Sequence, residues 1–165
     1  RTSGNENGGM TLLIRRYEPS DAAATANVYQ QAIRTTAAAH YDPAQINAWA
    51  GNDIDLQRWN MRRLAAWTVV AEVDGAIVGF SDLTPDGELD MLFVHPDAGG
   101  QGVARALVTS VLDEGRRRGL TTITTHASRA ARPAFEHFGF VVDADNPDNT
   151  VRGVKVPNHD MHVTL

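Results

Sequence analysis

The chain has 165 residues, 42% of them hydrophobic and 21% charged, with no cysteine and a formal net charge of −5 at pH 7. That length suits one domain with a sizeable core, and the missing cysteines exclude disulfides, thiolate metal ligands and a cysteine nucleophile. The acidic balance argues against a general nucleic-acid binder, whose affinity rests on neutralising phosphates, and no window approaches the roughly 18 apolar residues of a membrane-spanning helix.

Arg1 to Gly9 (RTSGNENGG) lacks the apolar centre of a secretory signal. It reads as a disordered expression scar ahead of a natural start at Met10, which leaves one domain over residues 10–165. The absence of a targeting signal and of cysteine leads us to expect the cytoplasm.

Thr11 to Tyr17 alternates weakly and predicts a first strand, stopped by Pro19. Ser20 and Asp21 are N-cap residue types ahead of a helix from Ala22 to about Ala38. Asp42-Pro43 predicts the start of a short helix through Ile46 and Trp49, and Asp55 to Ala65 a third. Trp67 to Val73, the turn pair Asp74-Gly75 and Ala76 to Leu83 predict a hairpin. Glu88 to Val94 (ELDMLFV) continues it as one further strand of an antiparallel meander.

After the turn-rich His95 to Gly102, the spacing of Val103, Ala106, Leu107 and Val111 predicts a helix to Arg118, with Gly119 just past its end. Leu120 to Thr125 reads as a buried strand. Ser128 caps a further predicted helix with Ala131, Ala134, Phe135 and Phe138 on its inner face. Phe140 to Val142 and His159 to Leu165 read as strands, and Ala144 to Asn158 as irregular and mobile. The fold class is α/β with a mixed sheet: an antiparallel meander followed by a strand-helix-strand-helix-strand half.

The most informative segment is MLFVHPDAGGQGVARAL, Met91 to Leu107, where a strand gives way to a glycine-rich turn and then a helix. The first amides of a helix have no intrahelical acceptor and carry partial positive charge. Glycines let a ligand approach the backbone closely, so the segment is a candidate phosphate cradle, with Arg105 able to add a guanidinium. It is neither a P-loop nor the dinucleotide fingerprint, because the glycines fall as GGxG with no following Lys-Ser/Thr.

LFVHPDAGGQGVARAL resembles the acetyl-CoA-binding motif of the GNAT superfamily of N-acetyltransferases, and THASRAARPAFEHFGFVV resembles the second signature of that family. HYDPAQINAWA, Arg152-Gly153 and Asn158-x-x-Met161 are similar to the YafP-like branch. The resemblance spans Met10 to Leu165 and implies a single GNAT-like domain that transfers acetyl from acetyl-CoA directly to a primary amine of a small molecule or protein. The implied cofactor-binding residues are Leu92, Phe93, Val94, Gly99, Gly100, Gln101, Gly102, Val103, Ala104, Arg105, Ser128 and Phe135. Pantetheine would pair with Leu92 to Val94 like an added strand, and the pyrophosphate would sit on the amides of Gly100 to Arg105.

Two departures stand out. Gly99 occupies a position where the family usually has Arg or Gln, which removes a side chain but no backbone amide. Phe135 stands where many members carry a Tyr that protonates the departing thiolate, a task a phenyl ring cannot perform. They motivate the alternative of a non-catalytic acyl-CoA-binding or sensing domain.

An amine is mostly protonated at pH 7, so a base must act before it can attack, and the resulting oxyanion needs preorganised donors. The resemblance assigns the second task to the Val94 N–H. For the base, Asp90 and Glu88 sit two apart on one predicted strand and would share a face with Leu92; Asp90 is preferred as the nearer to the thioester.

His40 and Tyr41 lie in a segment that borders the acceptor in the family. His126 reads equally as a buried structural residue or a proton relay, His137 as surface, and Trp49, Trp59 and Trp67 as core. Arg116 to Arg118 reads as a solvated helix end. His159 and His162 would point to opposite strand faces, so no shared metal site is expected. The expected partners are an amine acceptor and, compatibly, a second copy in a homodimer, with neither nucleic acid nor membrane.

Overall fold

The computed structural model describes residues 10–165, so the expected scar at Arg1–Gly9 lies outside the described residues. The elements run β1 (Leu12–Arg16), α1 (Ala22–Thr35), α2 (Pro43–Ala50), α3 (Leu56–Ala65), β2 (Trp67–Val73), β3 (Ala76–Leu83), β4 (Glu88–Leu89), β5 (Leu92–Val94), α4 (Val103–Arg117), β6 (Thr122–Ser128), α5 (Arg132–His137), β7 (Val141–Asn146), β8 (Thr150–Val151), β9 (Val154–Lys155) and β10 (Asn158–Thr164). Among the described residues no helix is long and apolar enough to cross a membrane.

Local chemistry sets the boundaries. Asp42 accepts from the Gln45 N–H and Asp55 from those of Gln57 and Arg58, capping α2 and α3. Asp74 and Gly75 both take positive φ, the geometry of a two-residue hairpin that matches strand twist. Gly115 lets α4 lie against β6: a Cβ there would meet the Ile123 side chain at 2.6 Å.

Two four-stranded sheets result, ordered β1-β2-β3-β5 and β4-β6-β10-β7, with β4 parallel to β6 and the remaining pairs antiparallel. The expected single strand Glu88–Val94 is therefore broken. β4 joins the second sheet and β5 stays with the first, because side chains of β3 take over the ladder between them. The buried Asp82 Oδ1 accepts from the Asp90 N–H at 3.0 Å and the Met91 N–H at 2.8 Å, and Ser81 Oγ donates to the Met91 carbonyl at 2.7 Å. The sheets part at this bulge.

One core packs α4 and α5 against both sheets through Leu83, Leu89, Leu107, Ile123, Phe135 and Met161. A second seats α1 and α3 on the other face of the first sheet around Val28, Trp59, Val70 and Phe80. A third joins α1, α2 and Val156.

The segment expected to be irregular is ordered. β7 extends to Asn146, and the β8–β9 hairpin is tied to α2: Arg152 donates to the Ala48 carbonyl at 2.6 Å and Gln45 to that of Lys155 at 2.9 Å. β6 is also not buried on both sides, since Thr122, Thr124 and His126 face outward while Ile123, Thr125 and Ala127 face the core.

Candidate active site

β5 ends the first sheet, and its far edge has no strand partner among the described residues. The His95 N–H donates to the Val78 carbonyl at 2.7 Å. Antiparallel pairs alternate in direction, so Phe93 also turns toward β3, while the N–H and C=O groups of Leu92 and Val94 face the open edge. Two cavities meet along it, one of about 760 Å³ and one of about 240 Å³. They share Trp49, Leu92, Phe93, Ser128 and Ala131, so they form one cleft that runs between the sheets.

The smaller arm is apolar and leads to the start of α4. Val94, Gly99, Ala104 and Ala134 line it. Gly102 is the N-cap at φ +78 and supplies no side chain, and the first intrahelical bond is Ala106 N–H to the Gly102 carbonyl at 3.1 Å. The amides of Val103, Ala104 and Arg105 are thus left without intrahelical acceptors. Gly100 also has positive φ, and a Cβ at either glycine would meet none of the described residues within 4 Å, so the approach is open on their side. Gln101 is exposed at this rim.

Val103 offers this arm its amide, since its side chain is buried in the core. The Arg105 guanidinium contacts His137 Nε2 at 2.7 Å and stacks on Phe138; His137 is exposed but engaged. Gly99 has an ordinary φ of −64, and a Cβ there would meet only the Pro96 carbonyl oxygen, at 3.5 Å.

The larger arm is a chamber with aromatic and acidic walls. Tyr29, Tyr41 and Trp49 come from α1, α2 and the turn between them, Asp90 from the bulge, and His126 and Asp160 from β6 and β10. Asp145 and Asp148 from β7 and the following strap also line it, paired with His159 at 2.6 Å and Lys155 at 2.9 Å. No lysine or arginine is among the described residues lining the chamber. Also among the described residues, no cluster of three or more His, Cys, Asp or Glu is arranged to hold a metal ion.

Asp90 is exposed on the chamber wall. Glu88 does not line the chamber; it lies behind His126, with Oε1 3.6 Å from Nε2. Burial, then the nearby Asp90, raises the Glu88 pKa above the ordinary carboxylate value. Beneath the bulge, burial pushes Asp82 up to about 7, against the two amides it accepts from. Its compensating charge is Arg63, buried over the Trp59 ring at 4.4 Å, with Nε and Nη1 unpartnered among the described residues.

Within the chamber Asp160 holds His126. Its Oδ1 accepts from Asn146 Nδ2 at 2.7 Å and lies 2.6 Å from His126 Nδ1. The Asn146 hydrogen bond first, and His126 after it, keep Asp160 below the usual carboxylate range. His126 is inside its strand rather than at its end, and 58% of its side chain is exposed, so the buried alternative does not hold.

Tyr41 is buried; its hydroxyl donates to the Pro157 carbonyl at 2.6 Å and accepts from the Arg129 N–H at 2.9 Å. His40, its expected companion, is exposed and lies outside both arms. Ser128 ends β6 and accepts from the Ala131 N–H at 3.1 Å, one turn ahead of α5, so it caps the approach to the helix rather than the helix. Phe135 reaches the chamber floor, packed edge-on against Phe140 at 5.0 Å.

Trp49, expected in the core, lines both arms. Asp82, Asn146 and Asp160 escaped the sequence reading. A signal existed only for Asp82, a lone carboxylate inside the apolar run AIVGFSDL.

A family model described as an acetyltransferase (GNAT) domain matches residues 37–165. The uncharacterized N-acetyltransferase YafP of Escherichia coli (strain K12) is 35% identical over 129 residues, which is 78% of this chain and 81% of YafP. Among solved structures, a GCN5-related N-acetyltransferase from Rhodopseudomonas palustris superposes with a TM-score of 0.90 at 32% identity, covering 94% of this chain and 96% of that chain. The protein yncA of Salmonella typhimurium, solved with its cofactor acetyl-CoA, shares the fold at a TM-score of 0.70 and 24% identity, with 94% of each chain covered.

Proposed function

The chain belongs to the GNAT acetyltransferase family, and on that premise we propose that it transfers the acetyl group of acetyl-CoA directly to a primary amine bearing positive charge. The observation that carries this reading is the through-cleft, whose two arms meet at the open edge of β5. The apolar arm suits pantetheine, and its far end offers free amides and a helix N-terminus to a pyrophosphate. The yncA structure, which holds acetyl-CoA, supports that choice of co-substrate. Acetyl-CoA supplies the acyl carbon and a thiol leaving group.

The chain's own groups do the rest. Leu92 and Val94 offer an extended ligand a strand edge, and the Val94 N–H points where an oxyanion develops. The amides of Gly100 to Arg105 hold negative charge at the mouth of the narrow arm. Asp90, on the chamber wall, takes a proton from the incoming ammonium. Aromatic faces and carboxylates draw cations, so Tyr29 and Trp49 with Asp90 and Asp160 favour a cationic acceptor over an anionic one.

A thermal melt with acetyl-CoA, followed by thiol release across a panel of cationic, neutral and anionic primary amines, tests this. Ligand at ~100 times its Kd adds about 2.7 kcal/mol, roughly 5–10 °C for a domain of this size. The reading expects that shift, with thiol released fastest by cationic amines. No shift at millimolar acetyl-CoA removes the site assignment. A shift without thiol release from any amine favours a domain that only binds or senses acyl-CoA, the reading that Phe135 motivates.

A further inference from the structure

We propose that His126, oriented by Asp160, is a second proton-transfer residue of the reaction, taking the proton that remains on the acceptor nitrogen after the new bond forms; this rests on the transferase reading above. The need follows from proton balance. An ammonium carries three protons and an amide nitrogen one, so two must leave, of which one ends on the thiol and one in solvent. Asp90 handles a single proton at a time, and Phe135 has no hydroxyl to supply one.

The geometry points to His126 for the second. It lines the chamber, and 58% of its side chain is exposed. Asp160 is held ionised by Asn146, so the 2.6 Å contact has His126 Nδ1–H donating to Asp160 Oδ1. That fixes the tautomer and leaves a lone pair on Nε2. Glu88, 3.6 Å beyond Nε2, stabilises the imidazolium once it forms. The charged groups beside the ring are therefore Glu88 from β4 and Asp160 from β10, with Asp90 of the bulge lining the same chamber.

The steps balance. Asp90 takes one proton from the ammonium, and the freed lone pair forms the C–N bond. His126 Nε2 takes the second proton from that nitrogen. The C–S bond breaks with its electron pair on sulfur, and the Asp90 carboxylic acid returns its proton there. His126 Nε2 then releases its proton to solvent. The two other histidine–aspartate pairs on this sheet, His159–Asp145 and His162–Asp143, have no part in these steps.

The test compares full-chain wild type, H126A, H126Q and D160N, using the amine that the panel selects. H126A should lower kcat by about 100-fold, the lower end of the range for a lost acid–base group, with the acetyl-CoA melt shift unchanged. Free imidazole should restore at least roughly tenfold of the lost rate in H126A and leave wild type unaffected, since it replaces the missing group. D160N should lower kcat by about tenfold through loss of the held tautomer.

H126Q gives the same reading of kcat if H126A does not fold. A kcat for H126Q within about twofold of wild type overturns the proposal. So does an impaired H126A that ignores imidazole while D160N keeps wild-type kcat, the pattern of plain strand pairing. If wild type itself binds acetyl-CoA but releases no thiol with any amine, the transferase reading fails, an outcome visible before any variant is compared.

Discussion

The polar groups that the narrow arm of the cleft offers a ligand are mostly backbone amides, whereas those of the wide chamber are mostly side chains. Around the start of α4 the exposed groups are amides, held open by Gly100 and Gly102, and the Val103 side chain is withdrawn into the core. In the chamber Tyr29, Trp49, Asp90, His126 and Asp160 come from elements far apart in the chain. The contrast divides the work: a backbone cradle suits a ligand common to many chemistries, and a side-chain wall selects what reacts with it. Substitutions should split accordingly, those in the chamber altering rate and those in the arm altering affinity.

The largest expected effect is in the chamber. Asp90→Asn keeps the shape but removes the base, and kcat should fall about 100- to 1,000-fold, with the acetyl-CoA melt shift unchanged. Near-wild-type turnover at pH 7 would pass the role to Glu88, His126 or water. In the arm, Gly102→Asp forces a side chain onto φ +78 and sets a carboxylate against the free amides. Its acetyl-CoA Kd should rise by about 100-fold, measured by titration calorimetry; an unchanged Kd would move the pyrophosphate elsewhere.

Asp82 links the two regions, since it shapes the bulge that opens β5. Its folded pKa of about 7 lies above the ordinary value of 3.8, so the folded chain binds this proton more tightly than the unfolded one. Its contribution is fully favourable below about pH 4 and is lost as pH rises toward 7, at about 1.4 kcal/mol per pH unit. Asp82→Asn keeps an Oδ1 acceptor for both amides and removes the titration. It also leaves Arg63 with one fewer negative neighbour, which offsets part of the gain above pH 7. Melts from pH 4 to 7 should therefore fall less steeply for Asp82→Asn than for wild type, and equal slopes would mean Asp82 ionises as a surface carboxylate does.

The smallest effect is at Gly99. Its φ of −64 and the room around it accept a side chain, so Gly99→Gln should fold normally and tighten acetyl-CoA by a few-fold, about 1 kcal/mol for one added hydrogen bond. A weaker Kd would show that the glycine is needed for the path of the loop.

The same division governs what could be read from the sequence. The backbone cradle of the arm is written within sixteen consecutive residues, Leu92 to Leu107, so its strand, turn and helix were legible as local chemistry. The chamber was not, because Asp160 meets His126 only through the antiparallel register of β10 on β6, and register is a tertiary outcome. The break after Leu89 was missed for a similar reason. ELDMLFV alternates like one strand, and only the Asp82 and Ser81 side chains, on the neighbouring strand, divide it. The ordered strap escaped notice because its ties reach α2 from more than a hundred residues away.

The two arms each open to solvent and meet along β5, where Trp49, Ser128 and Ala131 line both. Neither ligand then has to pass through the space of the other, so either can arrive first and each can leave while its neighbour remains bound. In steady-state kinetics that geometry corresponds to a ternary complex: reciprocal plots at several fixed amine concentrations should intersect rather than run parallel. Coenzyme A added as product should compete with acetyl-CoA for the narrow arm while leaving the apparent affinity for the amine nearly untouched.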